Sequence, residues 1–89
     1  MSYELRFSKL AKKQLRKMDR HQAALLTRWL YTNIEGIDDP RKFGKGLVEN
    51  RSGEWRYRVG KYRVIVEIRD AEMIVETIQI GHRKNIYDM

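Results

Sequence analysis

The chain has 89 residues, 42% of them hydrophobic and 35% charged, and its 19 Lys and Arg against 12 Asp and Glu leave a formal net charge of +7. This length supports one domain, residues 1–89, and argues against a multidomain enzyme with a deep cleft between domains. The lack of cysteine excludes disulfides and thiolate zinc sites, and the two histidines are far apart, so we expect neither a metal nor a cofactor.

The N-terminal residues do not include the apolar segment of a signal peptide, and the longest uninterrupted apolar run is residues 23–26. We therefore expect a cytoplasmic protein with no membrane partner. The positive charge makes a polyanion or an acidic protein the first partner to consider, although solubility alone also explains such a charge.

The first 18 residues have the pattern of a strand followed by a helix. Apolar and polar residues alternate over residues 3–7, which is the period of a half-buried strand. Ser8 then suits the N-cap position of a helix. The apolar stripe of that helix consists of Ala11, Leu15 and Met18.

A second helix is predicted to follow at once, forming a helical hairpin. Asp19 with Gln22 three residues later resembles a capping box, and Gly36 suits the position just after the helix. Its apolar face consists of Leu26, Trp29, Leu30 and Ile34. Residues 38–53 are predicted to be a loop with room for one helical turn.

The C-terminal half has the alternation of three strands. Residues 55–59 and 62–66 alternate, and Gly60-Lys61 between them suits a type II′ hairpin turn. That register places Arg58 opposite Arg63, and Arg56 opposite Ile65. After a turn near Asp70, residues 73–80 form the third strand, which Gly81 is predicted to end.

The predicted fold class is α+β: an N-terminal strand, a two-helix hairpin and a three-stranded antiparallel meander, with the helices packed on one face of the sheet. The strand positions expected to face the helices are Trp55, Tyr57, Val59, Tyr62, Val64, Val66 and Ile68. The arginines are expected on the opposite face.

The arginines are the candidate site. Placing Arg58 across from Arg63 costs roughly 0.2 to 1 kcal/mol, and an anion between them offsets that cost. A phosphodiester matches because a guanidinium group offers paired donors to two phosphate oxygens. Arg56 shares the face, and Arg83 follows the last strand. The alternative, that these are mobile surface side chains, remains open.

His82 and Tyr87 add titratable groups to this candidate site. Metal-free cleavage of RNA needs a base for the ribose 2′-hydroxyl, cations for the charge at phosphorus and an acid for the departing 5′-oxygen. Arginines, a histidine and a tyrosine supply all three. The alternatives are a strand-end histidine bonded to backbone and a terminal aromatic packed over the sheet edge. Glu67 is predicted to share the face of Arg63 and Arg69, with a salt bridge as its default role.

The first helix carries a second concentration of positive charge. Such a run is usually a solvated helix face. Its basic residues are Lys9, Lys12, Lys13, Arg16 and Lys17.

Two segments resemble the RelE branch of the RelE/ParE toxin superfamily. They are residues 52–65, Ser-Gly-Glu-Trp-Arg-Tyr-Arg-Val-Gly-Lys-Tyr-Arg-Val-Ile, and residues 80–87, Ile-Gly-His-Arg-Lys-Asn-Ile-Tyr. The N-terminal strand and helical hairpin are similar too, so the resemblance covers nearly the whole chain. The strand motif is common to the superfamily, whereas the Gly-His-Arg…Tyr ending points to the RNA-cleaving branch.

The resemblance implies a ribosome-dependent mRNA endonuclease, the toxin of a type II toxin–antitoxin pair, which works in the ribosomal A site and is inhibited by a cognate antitoxin. Its phosphate-binding and catalytic positions map to Arg56, Arg58, Arg63, Arg83 and Tyr87. The basic first helix would then bind rRNA backbone or an acidic antitoxin segment.

The second-strand positions are lysines in the best-studied member of the family and arginines in this chain. Arginine effectively cannot lose a proton, so general-base duty shifts toward Tyr87 or His82. Two other functions remain open: a ParE-like inhibitor of DNA gyrase without nuclease chemistry, and a module that only binds RNA or antitoxin.

Overall fold

A computed structural model describes residues 2–46 and 54–82 of the chain. The elements are β1 (Glu4–Phe7), α1 (Lys9–Lys17), α2 (Arg20–Asn33), a 3-10 turn (Pro40–Lys42), β2 (Lys45–Gly46), β3 (Glu54–Val59), β4 (Tyr62–Arg69) and β5 (Ile74–His82). The strands form one sheet in the order β1-β5-β4-β3-β2, with β1 parallel to β5 and the other neighbours antiparallel. The predicted α+β class is confirmed.

Helix α1 is attached to the sheet by the polar side chains of its N-cap, Ser8, and of Gln14 in its second half. Ser8 caps the helix by accepting a hydrogen bond from the Ala11 amide, and its hydroxyl donates to the Ile78 carbonyl, both at 3.0 Å. The Ile80 amide donates to Gln14 Oε1 at 2.6 Å. Because β1 ends at the residue before Ser8, β5 has no strand partner on this side beyond that point. These contacts supply hydrogen-bond partners to the Ile78 carbonyl and the Ile80 amide of β5.

The core lies between the helices and one face of the sheet, which we call the helix-bearing face. Leu26 and Leu30 on α2, and Ile34 at its C-cap, follow the helical period and are at most 1% exposed. The fully packed cluster comprises Leu5, Ala11, Leu26, Leu30, Ile34, Tyr57, Val64, Val66, Ile68, Val75 and Ile80. The predicted orientation of the apolar strand positions is therefore confirmed, and the opposite side of the sheet is the outer face.

The segment before β3 wraps the sheet edge. The Tyr57 hydroxyl donates to the Pro40 carbonyl and the Trp55 indole N–H donates to the Phe43 carbonyl, both at 2.6 Å. The 3-10 turn at Pro40–Lys42 confirms the predicted helical turn. Strand β2 was not predicted, because two residues are too few to show a periodic pattern.

Two predicted boundaries were wrong. Strand β5 continues through Gly81 to His82, because Gly81 pairs with Arg63 and His82 pairs with Tyr62. Helix α2 ends at Asn33, before Gly36. The φ of Gly36 is 79°, which lets the chain turn back so that the Gly36 amide donates to the carbonyl of Tyr3, the residue before β1. Within residues 2–46 and 54–82, neither helix has the length and apolar character that crossing a bilayer requires.

Candidate anion-binding site

The register of the strands gathers the arginines on the outer face. Arg58 lies opposite Arg63 and Arg56 lies opposite Ile65, as predicted from the two-residue turn. Lys45 on β2 lies opposite Arg56, so its side chain shares the same face. Three adjacent strands thus contribute cationic side chains to one area of the sheet.

A cavity of about 330 Å³ opens in this area. Among the described residues its walls are formed by Gly44, Lys45, Arg56, Arg58 and Arg63. Every charged side chain in this set is cationic, so the cavity is chemically suited to an anion that accepts several hydrogen bonds. A phosphate group has that character.

The cations of the site differ in burial. Arg58 is exposed and Arg56 is half-buried, whereas Arg63 is only 1% exposed. A description of Arg63 as a mobile surface side chain is therefore wrong. Burying a guanidinium group costs desolvation free energy, and an anion bound beside it offsets part of that cost.

Gly44 lets β2 approach β3 closely enough to complete the site. Its φ is 77°, and a Cβ added there would clash with the Arg56 carbonyl oxygen, well inside van der Waals contact, and would lie 2.8 Å from Tyr57 Cδ1. Any side chain would therefore push β2 away and move Lys45 out of line with Arg56. Sequence reasoning missed Gly44 and Lys45; the signal was a lysine between two glycines, which marks a close backbone approach as well as a turn.

His82 lies on the other face of the sheet. It is directly opposite Tyr62, and the two rings pack edge-on with centroids 5.7 Å apart. Tyr62 packs against the core on the helix-bearing face. The expectation that His82 joins the arginine patch was wrong, because the pleat alternates faces and Gly81 is the residue beside Arg63. Arg83 and Tyr87 lie outside the described residues.

The basic residues of α1 form a second, separate surface. All five are exposed: Lys9, Lys12, Lys13, Arg16 and Lys17. Since Ala11 of the same helix is in the core cluster, α1 lies on the helix-bearing face, with the sheet between it and the cavity. The two basic surfaces cannot contact the same phosphate.

The far end of the outer face is rich in carboxylates. Arg69 Nε lies 3.0 Å from Glu67 Oε1, which confirms the expected salt bridge of Glu67, and Arg69 also pairs with Glu76 and with Glu72. Arg6 pairs with Glu4 at 3.1 Å. Hydrogen bonding to Glu67 raises the pKa of Arg69.

Polar contacts outside the site join Arg41 and Tyr3 to Asp70, in the turn that follows β4. Arg41 contacts both carboxylate oxygens of Asp70 at 3.0 and 3.1 Å, and the Tyr3 hydroxyl donates to the same carboxylate at 2.7 Å. The hydrogen bonds from Arg41 and Tyr3 lower the pKa of Asp70. Burial raises the pKa of Tyr57.

Comparison with known proteins agrees with this geometry. The profile of the family described as "ParE toxin of type II toxin-antitoxin system, parDE" matches residues 5–87. Toxin RelG of Mycobacterium tuberculosis is 28% identical over 87 residues, which cover 98% of each chain.

Solved structures show the same fold. The M. tuberculosis toxin–antitoxin complex RelBE2 contains a chain with a TM-score of 0.81 and 25% identity, covering 93% of this chain and 100% of that one. A mutant of the Escherichia coli toxin RelE in the free state has a TM-score of 0.77 and 22% identity, covering 99% and 93%.

A small sheet with a helical hairpin on one face and clustered cations on the other is thus the architecture of a toxin of the RelE type. The chain belongs to the RelE/ParE superfamily of toxins from type II toxin–antitoxin systems.

Proposed function

We propose that this toxin is a ribosome-dependent mRNA endonuclease that cleaves mRNA in the A site and so inhibits translation. The observation that carries the proposal is the outer-face cavity walled by Lys45, Arg56, Arg58 and Arg63. A site lined by cationic side chains is suited to a reaction whose transition state gains negative charge on phosphate oxygens.

In the proposed reaction the ribose 2′-oxygen attacks the neighbouring phosphorus. The bond from phosphorus to the 5′-oxygen breaks, leaving a 2′,3′-cyclic phosphate and a free 5′-hydroxyl. Arg56, Arg58 and Arg63 bind the phosphate oxygens and stabilise the extra charge of the pentavalent species. No resident metal is needed, because the guanidinium groups supply the positive charge.

Two protons must also move, one from the 2′-hydroxyl and one to the 5′-oxygen. Arginine remains protonated, so it does not accept either of them. Lys45 at the cavity and Tyr87, the latter carried over from the family resemblance together with Arg83, are the proposed proton-transfer groups. His82 is left without a direct contact to the phosphate, since it lies beside Tyr62 on the helix-bearing face.

The basic face of α1 is proposed to bind the backbone of ribosomal RNA. Its exposed lysines and arginines lie on the other side of the sheet from the cavity, so the protein can contact ribosomal RNA and mRNA at the same time. A cognate antitoxin is the other proposed partner, in a hetero-oligomer. The similar folds found in the RelBE2 complex and in the RelE–RelB complex of Pyrococcus horikoshii support it.

The direct test is translation in a cell-free extract with the purified, antitoxin-free protein, followed by mapping of mRNA 5′ ends. New 5′ ends within translated codons are expected, and they should disappear with Arg58→Ala and persist with Arg28→Ala, which removes an exposed arginine from α2. Intact mRNA in the presence of the folded toxin would overturn the proposal.

A ParE-like inhibitor of DNA gyrase is the alternative function. The observation that favours it is the family profile, which carries the ParE name. Supercoiling of plasmid DNA by purified gyrase separates the two, since the proposed endonuclease leaves supercoiling unchanged. Inhibition of supercoiling without any mRNA cleavage would establish the alternative.

A further inference from the structure

Strand β2, which brings Lys45 to the anion-binding site, is only two residues long, and both of its residues are exposed. Strands in globular proteins usually have roughly three to ten residues, so the pairing of β2 with β3 supplies few hydrogen bonds. The position of Lys45 therefore depends on contacts made by the chain on either side of it.

Trp55 of β3 contacts this segment on both sides of Lys45. On one side, the indole N–H donates a hydrogen bond to the Phe43 carbonyl at 2.6 Å. On the other side, Gly46 pairs with Trp55, and a Cβ added to Gly46 would lie 3.0 Å from Trp55 Cζ3. The indole ring thus lies directly against the Gly46 backbone, and one side chain holds β2 before and after its lysine.

The indole ring is itself held in place. Trp55 is half-buried and packs against the core on the helix-bearing face. The guanidinium carbon of Arg41 lies 5.9 Å from the centroid of the indole ring, which is within the range of a cation–π contact. Arg41 also contacts both carboxylate oxygens of Asp70, at 3.0 and 3.1 Å. The ring is therefore fixed between the core, an anchored guanidinium group and the backbone of β2.

Lys45 and the indole ring lie on opposite faces of the sheet. The Lys45 side chain is on the outer face, where it forms part of the cavity wall, and Trp55 is on the helix-bearing face. An anion in the cavity is thus in reach of the lysine, and the sheet separates it from the indole. Any effect of Trp55 on anion binding must pass through the backbone of residues 43–46.

We infer that Trp55 is the positioning residue for Lys45. Its hydrogen bond to Phe43 and its contact with Gly46 hold β2 so that the lysine ammonium group reaches the phosphate in the cavity. A lysine on a loosely held segment would lose more conformational entropy on binding, and a fixed backbone removes part of that cost. This inference rests on the proposed function, because it concerns the binding of the same phosphodiester.

The test is a double-mutant cycle between Trp55→Phe and Lys45→Ala. The measured quantity is the affinity for a 5′-fluorescein-labelled trithymidylate, which has no 2′-hydroxyl and cannot be cleaved, by fluorescence anisotropy. Phenylalanine keeps an aromatic ring in the core but has no N–H to donate to Phe43. Trp55→Phe should therefore bind about threefold to tenfold more weakly than the parent protein.

Lys45→Ala should weaken binding at least as much, and its salt dependence should be shallower because one phosphate contact is lost. Adding Trp55→Phe to Lys45→Ala should change the affinity by less than about twofold, since the residue through which Trp55 acts is already absent. A purely structural role of Trp55 would instead affect both backgrounds equally.

Trp29→Phe is the matched control. Trp29 belongs to the same aromatic cluster, with its ring centroid 5.6 Å from that of Phe43 and 5.7 Å from that of Tyr57, and it lies on α2. The substitution makes the same chemical change without removing the contact with Gly46. It should change the trithymidylate affinity by less than about twofold. Thermal melting checks the folding of every variant.

The outcomes separate the inference from the proposed function. Equal losses of affinity from Trp55→Phe in the parent and in the Lys45→Ala background overturn the inference and leave the endonuclease proposal standing, as does an unchanged affinity of folded Trp55→Phe. Failure of the folded parent protein to bind trithymidylate at low salt overturns both.

A second variant tests the same contact from β2 if Trp55→Phe does not fold. Gly46→Ala places a methyl group 3.0 Å from Trp55 Cζ3, so β2 or the ring must shift. It should weaken trithymidylate binding in the parent protein and have little effect in the Lys45→Ala background. An unchanged affinity of folded Gly46→Ala would then overturn the inference.

Discussion

Arg58 and Arg63 face each other across β3 and β4, the first exposed to solvent and the second only 1% exposed. Facing like charges cost roughly 0.2 to 1 kcal/mol, and the burial of Arg63 adds a desolvation cost. Both costs fall when an anion binds between the guanidinium groups. The pair is therefore better explained by ligand binding than by stability of the sheet.

Arg58→Ala is expected to lower mRNA cleavage by about 10²- to 10³-fold, which corresponds to about 3 to 4 kcal/mol of transition-state stabilisation. The free energy of unfolding should stay the same or rise slightly, because the repulsion with Arg63 is removed. Cleavage is measured by primer extension in a cell-free extract, and stability by thermal melting. An inactive variant that also melts far below the parent would contradict this separation of activity from folding.

Gly44→Ala is expected to destabilise the protein and to weaken anion binding. The new Cβ would clash with the Arg56 carbonyl, so β2 must shift and take Lys45 with it. Gly36→Ala is the matched control, since its φ of 79° is nearly the same but nothing lies within 4 Å of its added Cβ. The free energy of unfolding of the control should fall by about 1 to 2 kcal/mol from backbone strain alone. That of Gly44→Ala should fall by more.

Urea unfolding and trithymidylate binding measure the two effects of these glycine variants. The control should retain its affinity for the oligonucleotide. Equal losses of stability in both variants, with affinity unchanged, would mean that the close approach of β2 to β3 contributes neither to stability nor to anion binding.

The raised pKa of Tyr57 predicts a loss of stability at alkaline pH. Because its folded-state pKa is raised above the ordinary value of about 10, the unfolded chain releases the proton first. The contribution of Tyr57 is therefore fully present below about pH 10 and falls by up to about 1.4 kcal/mol per pH unit above it. Tyr57→Phe should remove this part of the pH dependence.

The same Tyr57→Phe substitution should cost about 1 to 3 kcal/mol at neutral pH, because it leaves the Pro40 carbonyl without its hydroxyl donor. Denaturant titrations of both proteins at pH 8 and pH 11 test the two statements together. If the free energies of unfolding of the two proteins differ by the same amount at pH 8 and at pH 11, the result would argue against burial of the Tyr57 hydroxyl.

His82→Ala is expected to leave trithymidylate affinity unchanged, because the histidine lies on the helix-bearing face beside Tyr62. Loss of that ring contact should cost about 0.5 to 1.5 kcal/mol of stability. Tyr87→Phe, by contrast, is proposed to lower the cleavage rate with little change in stability. If His82→Ala lost affinity for the oligonucleotide while keeping its full stability, His82 would have to contribute to the phosphate site.

The lowered pKa of Asp70 predicts a loss of stability at acid pH. Its pKa is lowered by hydrogen bonds from Arg41 and Tyr3, so its contribution is present above the ordinary value of about 4 and disappears as the pH falls below that. Asp70→Asn should thus lower the melting temperature slightly at pH 7 and have no effect near pH 2. Asp38→Asn, at an exposed position, is the control and should have no effect at either pH.

Local patterns in the sequence were sufficient for most of the elements. The alternation around Gly60-Lys61 specified the pairing of Arg58 with Arg63, because a two-residue turn allows only one register. Ser8 and Asp19 marked the starts of both helices, since each side chain accepts a hydrogen bond from the first turn. These features depend only on residues that are close in the sequence.

Long-range features were not predictable in the same way. Strand β2 and the contribution of Lys45 depend on Gly44 meeting the backbone of Arg56 twelve positions later. The place of β1 beside β5, with parallel pairing, joins residues about 70 positions apart. The burial of Arg63 also has no local signal, because alternation predicts a face of the sheet and not what covers it.

The amino-acid order alone determined an α+β domain with helices on one face and arginines on the other, since helix capping, tight turns and hydrophobic periodicity act within a few residues. Only the tertiary structure decided that Lys45 joins the arginines, that Arg63 is buried and that His82 lies on the opposite face. Those outcomes depend on pairing and packing between distant segments, and their free energies appear only when the whole sheet has formed.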